Sequence, residues 1–409
     1  MHNGRVGSRG RLAVVAVCLL LLSPVATGGA APSLAGQLQR ALATHSATPW
    51  TSAGLVVDLS SGATVFARNA DASLEPASNE KLAITFAALT ELGPAYRFRT
   101  EVLGEGRQEG DVWDGNVVLK GFGDPTLTSA RLALLADDLW QDGIRRITGH
   151  VVGDASWFDD ETGVEGWRSS FYGVESPPLS ALVVDRAQRN DKIVANPPLA
   201  AAAAFYRALT ARGIVTRGAV ARAARGRPVT LATTYSRQLW RVLQVMDRES
   251  DNFTAELVLK ELGAEKLGAG TSAAGAAVVT RVLAAAGIPL AGVRVVDGSG
   301  LSYDDRVTPR ELGALLTAMW RKPSIRAVVS RSLATPGTNG TLIHRFLQEP
   351  ARSLVRAKTG TTDISSALSG YVGTRFAFVV IQNGDPVDWT AAHEAQDRFV
   401  DALVARATA

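Results

Sequence analysis

Strand-forming segments lie near both ends of this 409-residue chain, and that division limits the folds open to it. Near the N-terminus, "GLVVDLSSGATVFARN" (54–69) has two β-rich runs on either side of the turn signal Ser-Ser-Gly, which predicts a hairpin. Near the C-terminus, three β-rich segments predict antiparallel strands: "SLVRAKTG", "SSALSGYVG" and "RFAFVVIQN". The two groups can form one sheet only if the middle of the chain leaves that sheet and returns to it.

Helical patterns accompany these strands. An apolar run from about Ser78 to Leu92 predicts a helix after the hairpin, and "TAAHEAQDRFVDALVARA" (390–407) has the apolar spacing of an amphipathic helix. We expect the last helix to pack on the sheet rather than on a membrane surface. The fold class predicted is α+β, with a five-stranded antiparallel sheet flanked by helices.

The middle of the chain predicts a smaller inserted α/β domain. A strand–strand–helix–strand order is indicated by the successive segments "YRFRTEVL", "NVVLKGFGDP", "SARLALLADDLWQDGI" and "RRITGHVVGDAS". A loop-like stretch and a helix from about Leu199 to Arg212 then lead back. These patterns predict a main domain at 32–96 and 232–409 and an inserted domain at 97–231.

The first 31 residues have the pattern of an export signal. Three arginines accompany an apolar stretch from Leu12 to Leu22, and a Ser-Pro break and small residues follow. A helix needs about 20 residues to cross a bilayer, so a retained anchor is the weaker alternative. We therefore predict a signal peptide at 1–31 and a mature chain outside the cytoplasm, without stable insertion into a membrane.

Charge and composition exclude several functions. Cleavage of the signal would remove three arginines and no acidic residue, so the net charge would fall from +4 to +1 (4 − 3), which does not favour nucleic acid as a partner. The single cysteine, Cys18, lies inside the signal, so we expect no disulfide. The five histidines show no metal-ligand spacing, and we expect neither a metal nor another cofactor.

A serine and a lysine three positions apart indicate a catalytic site. Ser78 and Lys81 stand in "PASNEKL" (76–82), and Lys81 is one of only seven lysines. Residues i and i+3 of a helix share one face, so a lysine with a lowered pKa could take the serine proton. Helix N-terminal amides would favour negative charge developing on the substrate. However, Ser-x-x-Lys arises about once by chance in such a chain, and Ser78 could be a plain N-cap.

Two further motifs follow in the order found in penicillin-recognising serine acyl-enzymes: Ser-Asp-Asn at 250–252 and Lys-Thr-Gly-Thr at 358–361. Alone, the first could cap the next helix and the second could simply begin a strand. Together they suggest that Ser250 relays a proton to the leaving amine, that Asn252 holds the substrate amide, and that the charge of Lys358 lowers the pKa of Lys81.

The strand that carries the third motif has binding tasks of its own. Thr359 and Thr361 could bind a terminal carboxylate, and Gly360 could let the substrate backbone approach an edge strand. The main-chain amides of Ser78 and Thr361 could form the oxyanion hole.

With these motifs, the chain resembles the D-alanyl-D-alanine carboxypeptidase/endopeptidase family of class C low-molecular-mass penicillin-binding proteins, the S13 peptidases. Segments spread over nearly the whole mature chain carry the resemblance, among them "EPASNEKL", "GIRRITGHVVGDASWFD", "VMDRESDNFTAELVLKELG", "VVDGSGLS" and "RAKTGTT". The resemblance implies a β-lactamase/DD-peptidase-like transpeptidase domain. It also implies a secreted serine peptidase that cleaves D-alanyl bonds of peptidoglycan stem peptides and is inhibited by β-lactams, which acylate it.

Two departures from the family pattern affect these expectations. The chain passes quickly from "SPPLSALVVDR" to "NPPLAAAAAFYRAL", so the family's third domain is expected to be reduced or absent. In addition, Tyr303 follows "DGSGLS" where the family often has an arginine associated with the carboxylate of a diaminopimelate side chain, and Arg306 is a candidate substitute. Asp154 matches the family acid associated with that side chain's amine, although it could equally cap a turn.

Two alternatives share the framework. One is a β-lactamase or esterase, but the Glu-x-x-Leu-Asn segment that deacylates class A lactamases is missing between the motifs. The other is a wall-binding protein that has lost catalysis. The retained polar site residues disfavour it, because an idle buried lysine pair costs stability.

Overall fold

The computed structural model describes residues 33–43 and 50–409, together with Gly4 and Gly7. Apart from those two glycines, the predicted signal peptide therefore lies outside the described residues. The strands of the described part are β1 (Trp50–Asp58), β2 (Thr64–Arg68), β3 (Arg99–Glu109), β4 (Val112–Gly121), β5 (Arg146–Ile147), β6 (Val151–Asp154), β7 (Gln188–Arg189), β8 (Lys192–Ile193), β9 (Ala219–Ala221), β10 (Val229–Tyr235), β11 (Val355–Thr361), β12 (Ser365–Val372) and β13 (Phe376–Gly384). The helices are α1 (Leu34–Ala41), α2 (Lys81–Glu91), α3 (Ser129–Gln141), α4 (Pro197–Ala211), α5 (Leu239–Glu249), α6 (Asn252–Leu267), α7 (Ser272–Ala285), α8 (Pro309–Arg321), α9 (Pro323–Ser332), α10 (Ala351–Leu354) and α11 (Trp389–Thr408).

The main sheet is built from both ends of the chain. Its strand order is β11-β12-β13-β1-β2, and every neighbouring pair is antiparallel. The register of β1 against β13 runs from Trp50 opposite Gly384 to Asp58 opposite Phe376. The predicted α+β class, with five antiparallel strands flanked by helices, is confirmed.

Alternating side chains of the main sheet enter two cores. Within β13, Val379 and Ile381 pack in the core that contains α2 and α5–α9, whereas Phe378 and Val380 pack with α1 and α11 on the opposite face. Burying one such side chain contributes about 1.5–3 kcal/mol, so both helical layers hold the sheet.

Helix α6 lies deep in the molecule, with twelve of its sixteen residues buried. Its buried residues include the charged Glu256, Lys260 and Glu261, so α6 brings polar groups as well as apolar packing into the interior. Within the described ranges, no single helix is long and apolar enough to span a membrane. One pair of consecutive helices in those ranges, α6 and α7, has the length and composition of a span when taken together, but the two are bent by 77°.

A second sheet lies in the middle of the chain, in the order β10-β3-β4-β6-β9, with β5 also paired to β4. Helices α3 and α4 share an apolar core with it. Strand β10 continues to Tyr235 and pairs with β3, so this sheet extends beyond the predicted boundary at 231. Where the family's third domain would lie, the described residues form the short β7–β8 pair. The division into domains stays a prediction.

Two carboxyl groups in the core have no hydrogen-bond partner among the described residues. Glu80 precedes α2 and Glu311 lies in the first turn of α8, and each is 1% exposed. Burial raises the pKa of Glu311 to about 8. Burial and the neighbouring Glu311 also raise the pKa of Glu80 well above its usual value. Near neutral pH the folded protein therefore keeps protons that the unfolded chain releases.

This difference predicts a loss of stability with rising pH. Between the usual pKa of 4.5 and about 8, Glu311 ionises only in the unfolded chain, so the free energy of unfolding falls as pH rises through that window. Glu311→Gln removes the ionisation. Between pH 5 and 8.5 the free energy of unfolding, measured with urea, should fall by at least about 1 kcal/mol more in the wild type than in the variant. The exposed Glu109→Gln is the control, and equal pH profiles for wild type and Glu311→Gln would contradict the assignment.

Candidate active site

The candidate nucleophile lies in a tight turn and not in the helix itself. Ser78 belongs to the 3-10 turn Ala77–Glu80, and α2 begins only at Lys81, which corrects the predicted helix start at Ser78. No side-chain cap is made at the start of either element, so the N-cap interpretation of Ser78 is not supported.

The residue before the serine has an unusual backbone conformation. Ala77 has φ 46°, and its N–H donates to Glu75 Oε1 at 3.1 Å. Gly300 packs against the same residue, and a Cβ at position 300 would lie 1.9 Å from the Ala77 carbonyl oxygen. Left-handed non-glycine residues are costly and collect at functional sites, where surrounding contacts hold them. The turn therefore presents Ser78 in one fixed orientation.

Lys81 is fully buried at the centre of the site. Its Nζ donates to Ser78 Oγ at 2.8 Å, to Asn252 Oδ1 at 2.8 Å and to the Ser299 carbonyl oxygen at 2.5 Å. Burial lowers the pKa of Lys81 to about 8, although nearby carboxylates, Asp297 first among them, favour the charged form. Near that pH, much of Lys81 is neutral and able to accept a proton.

Lys358 forms a second buried amine, whose Nζ donates to Ser250 Oγ and to the Thr359 carbonyl oxygen, both at 2.9 Å. Burial, and then the charge of Lys81, lower the pKa of Lys358 well below its usual value, while Asp247 opposes this. Desolvation is thus the main cause of the lowered pKa of Lys81. Repulsion between the two ammonium groups is mutual, and a contribution of Lys358 to the lowered pKa of Lys81 stays a prediction.

The 250–252 motif both caps a helix and lines the site. Ser250 ends α5 with φ 58° and ψ 39°, and Asp251 is the N-cap of α6, accepting from the Thr254 N–H. Arg186 binds the Asp251 carboxylate through two nitrogens at 2.6 and 2.9 Å. Asp251 is therefore the helix cap. Its two neighbours contact the buried lysines: Ser250 binds Lys358, and Asn252 binds Lys81.

Strand β11 forms an edge of the main sheet beside the nucleophile. Thr359 Oγ1 donates to Thr341 Oγ1 at 2.7 Å, and Thr361 is exposed. A Cβ on Gly360 would lie 2.8 Å from both the Pro76 carbonyl oxygen and Asn79 Nδ2. The missing side chain thus lets β11 approach the nucleophile turn, and the expectation that Gly360 also makes room for the substrate backbone stays a prediction.

Buried carboxylates that the motifs did not single out hold the loop behind Lys81. Asp297 accepts main-chain N–H groups of residues 300–302 at 2.6–3.1 Å. Glu256 accepts the N–H of Ser299 at 2.8 Å, and burial raises its pKa to about 8. These bonds fix the Ser299 carbonyl that contacts Lys81. Asp297 lay within "VVDGSGLS", but nothing in the local sequence around Glu256 indicated its role.

The three side chains predicted to recognise a diaminopimelate side chain make other contacts, and Tyr303 Oη donates to Asp363 Oδ2 at 3.5 Å. Asp154 is fully buried and accepts from Lys120 Nζ at 3.1 Å and from the Ser156 N–H at 2.8 Å, as a turn cap would. Arg306 donates to the carbonyl oxygens of Tyr303 and Asp305, each at 2.7 Å. The structure does not bring Asp154 or Arg306 into contact with the catalytic residues, and their role in recognition stays a prediction.

Comparisons with known proteins show the family of the chain. Residues 34–195 and 189–406 match the D-Ala-D-Ala carboxypeptidase 3 (S13) family. The chain is 28% identical over 481 residues to the D-alanyl-D-alanine carboxypeptidase of Actinomadura sp. (strain R39), an alignment that covers 93% of this chain and 88% of the relative. It is 32% identical over 361 residues to Carboxypeptidase DacB of Mycolicibacterium smegmatis, covering 81% and 76%.

The fold is likewise similar to a solved structure. Penicillin binding protein 4 (dacB) from Haemophilus influenzae aligns with a TM-score of 0.80 and 21% identity, over 90% of this chain and 98% of that one. Because the family match covers nearly all of the described residues, it confirms the resemblance that the motifs indicated. The chain belongs to the D-Ala-D-Ala carboxypeptidase 3 (S13) family of serine peptidases.

Proposed function

We propose that this protein is a serine DD-peptidase that cleaves D-alanyl-D-alanine bonds of peptidoglycan stem peptides through an acyl-enzyme on Ser78. The observation that carries the proposal is the 2.8 Å contact between Ser78 Oγ and the buried Nζ of Lys81. The substrate is supported by family membership and by the Actinomadura relative, which is a D-alanyl-D-alanine carboxypeptidase.

Acylation begins when neutral Lys81 takes the Ser78 proton as Oγ bonds to the carbonyl carbon. The main-chain amides of Ser78 and Thr361 stabilise the oxyanion. The C–N bond then breaks, and a proton passes through the Ser250 hydroxyl, held by Lys358, to the leaving D-alanine amine. Asn252 holds an amide group of the substrate. Thr359 and Thr361 bind the terminal carboxylate of the substrate.

Deacylation reverses these roles. Water attacks the ester carbonyl carbon and gives a proton to Lys81, which returns a proton to Ser78 Oγ as the C–O bond breaks. In a β-lactam the leaving nitrogen stays tethered to the acyl group, so the adduct persists. The same acyl transfer would also cleave D-alanyl-diaminopimelate cross-links, since only the leaving amine differs.

Export completes the proposal. We infer that residues 1–31 form a signal peptide and that the enzyme acts outside the cytoplasm, where peptidoglycan lies. The support is the charged, apolar and small-residue pattern of that segment.

A time course of labelled penicillin binding separates this function from its alternatives. A DD-peptidase forms a stable adduct, and a β-lactamase or esterase forms one that is rapidly hydrolysed. A catalytically silent wall-binding protein forms none.

The assignment of Ser78 as the nucleophile predicts where penicillin attaches. Mass spectrometry of digested protein should find the added mass on the peptide containing Ser78, and Ser78→Ala should abolish the adduct without changing the circular dichroism spectrum. The buried Ser369→Ala is a matched control that should keep the adduct. Mass on any other serine would refute the assignment.

The assignment of Lys81 as the base predicts that its replacement slows acylation and changes the pH dependence of the acylation rate. Lys81→Met keeps the length of the side chain but cannot accept a proton, so acylation should slow by about 10² or more. In the wild type, protonation removes the base, and the acylation rate should rise with pH through about 8. The variant should lack that rise. Stopped-flow acylation between pH 6 and 10 measures both, and a Lys81→Met rate near that of the wild type would show that another group takes the proton.

A further inference from the structure

A segment of the inserted part of the chain crosses the catalytic groove. The groove lies between the edge of β11 and the 250–252 turn, with Ser78 at its floor, and the crossing segment is residues 164–176. The Glu175 carbonyl oxygen accepts from Asn252 Nδ2 at 3.1 Å. Arg168 Nη1 donates to Asp363 Oδ2 at 2.7 Å. The crossing segment therefore contacts both walls of the groove.

The base of the crossing segment is fixed, and its tip is exposed. Trp167 Nε1 donates to Asp297 Oδ2 at 2.8 Å, and Ser302 Oγ donates to the Glu165 carbonyl oxygen at 2.9 Å. Beyond this base, Tyr172 is 48% exposed and Val174 is 80% exposed. Movement of the tip rearranges the ring contacts of Phe171 with Tyr303 and of Tyr172 with Trp167, while Val174 stays in solvent.

The contacts lie at one particular end of the groove. On the proposed function, Thr359 and Thr361 bind the terminal carboxylate of the substrate, and the attacked carbonyl lies at the Thr361 amide. Asp363 follows β11, two positions beyond Thr361 and four beyond Thr359. The chain on the acyl side of the attacked carbonyl must therefore leave the groove past Asp363, beneath the crossing segment.

We propose that the Arg168–Asp363 ion pair and the Glu175 carbonyl form a latch over the acyl end of the groove, which determines how bulky an acyl group the enzyme accepts. The proposal rests on the proposed function. Arg168 and Asp363 have side-chain exposures of 46% and 52%, so their ion pair is weak and screened by salt. A substrate amide can also replace Glu175 as the acceptor for Asn252. A small acyl group fits beneath the closed latch, and a bulky one must open it.

The fold leaves room for this opening. A cavity of about 700 Å³ is lined by Glu165 and Tyr172 of the crossing segment and by Lys260 and Arg294. Arg168 also stacks over the ring of Tyr303 at 4.4 Å. This contact must also be broken when the segment moves away from Asp363.

Acylation rates with two penicillins test the latch. One is benzylpenicillin, and the other carries a bulky fluorophore on its acyl side chain. Asp363→Asn and Arg168→Gln should each raise the rate constant for the bulky penicillin about two- to fivefold, the range expected for loss of an exposed ion pair. The rate constant for benzylpenicillin should stay unchanged. Added salt should speed the bulky reaction in the wild type and not in the variants.

Two controls make the result specific. Asp137 lies on α3 and forms a comparably exposed ion pair with Arg212. Asp137→Asn breaks that pair and should change neither rate. Exchanging the charges, with Arg168→Asp and Asp363→Arg together, should restore the wild-type ratio of the two rates. An unchanged ratio in both single variants would overturn the latch while leaving the acyl-enzyme intact. A wild type that forms no adduct with either penicillin would overturn the proposed function itself, and the latch with it.

Discussion

The arrangement of the site depends on burying the amine of Lys81. A lysine removed from water needs polar partners, because each unmet hydrogen bond in the interior is costly. Its three acceptors come from the nucleophile turn, from the start of α6 and from the loop at 298–302. Three distant segments must therefore meet at one nitrogen, and each must be rigid enough to stay there. Most of the other polar contacts in the site serve that requirement.

The rigidity comes from unusual local structure held by buried carboxylates. Ala77 and Ser250 both have left-handed backbones, a conformation that costs about 1–3 kcal/mol and persists only where neighbours enforce it. Glu75 binds the N–H of Ala77, while Asp297 and Glu256 hold the loop that supplies the third acceptor. These carboxyl groups and the Lys81 amine are buried together. Burial also lowers the pKa of Lys81, so the same removal of water favours the neutral amine that can accept a proton.

Local patterns in the sequence were sufficient for the main sheet and for the catalytic groups. β-rich runs and a turn signal predicted the strands at both ends, and three short motifs singled out side chains that meet around Lys81. What they could not reveal depends on contacts between positions far apart in the chain. The role of Gly360 follows from its contact with Pro76, and that of Glu256 from the loop it binds. No periodicity or spacing signals such pairs, and the same holds for Arg168 and Asp363, which lie 195 positions apart.

The division of the main sheet between the two ends of the chain has a consequence for the order in which the protein is made. Synthesis begins at the N-terminus, so Ser78 and Lys81 exist long before Lys358, and β1 exists before β13, its partner. Until the last strands are complete, the nucleophile turn has no β11 to pack against, and Ser250 lacks its contact with Lys358. The polar groups around Ser78 can therefore come together only after the last strands have been made and have paired with β1, so this site is completed late in folding.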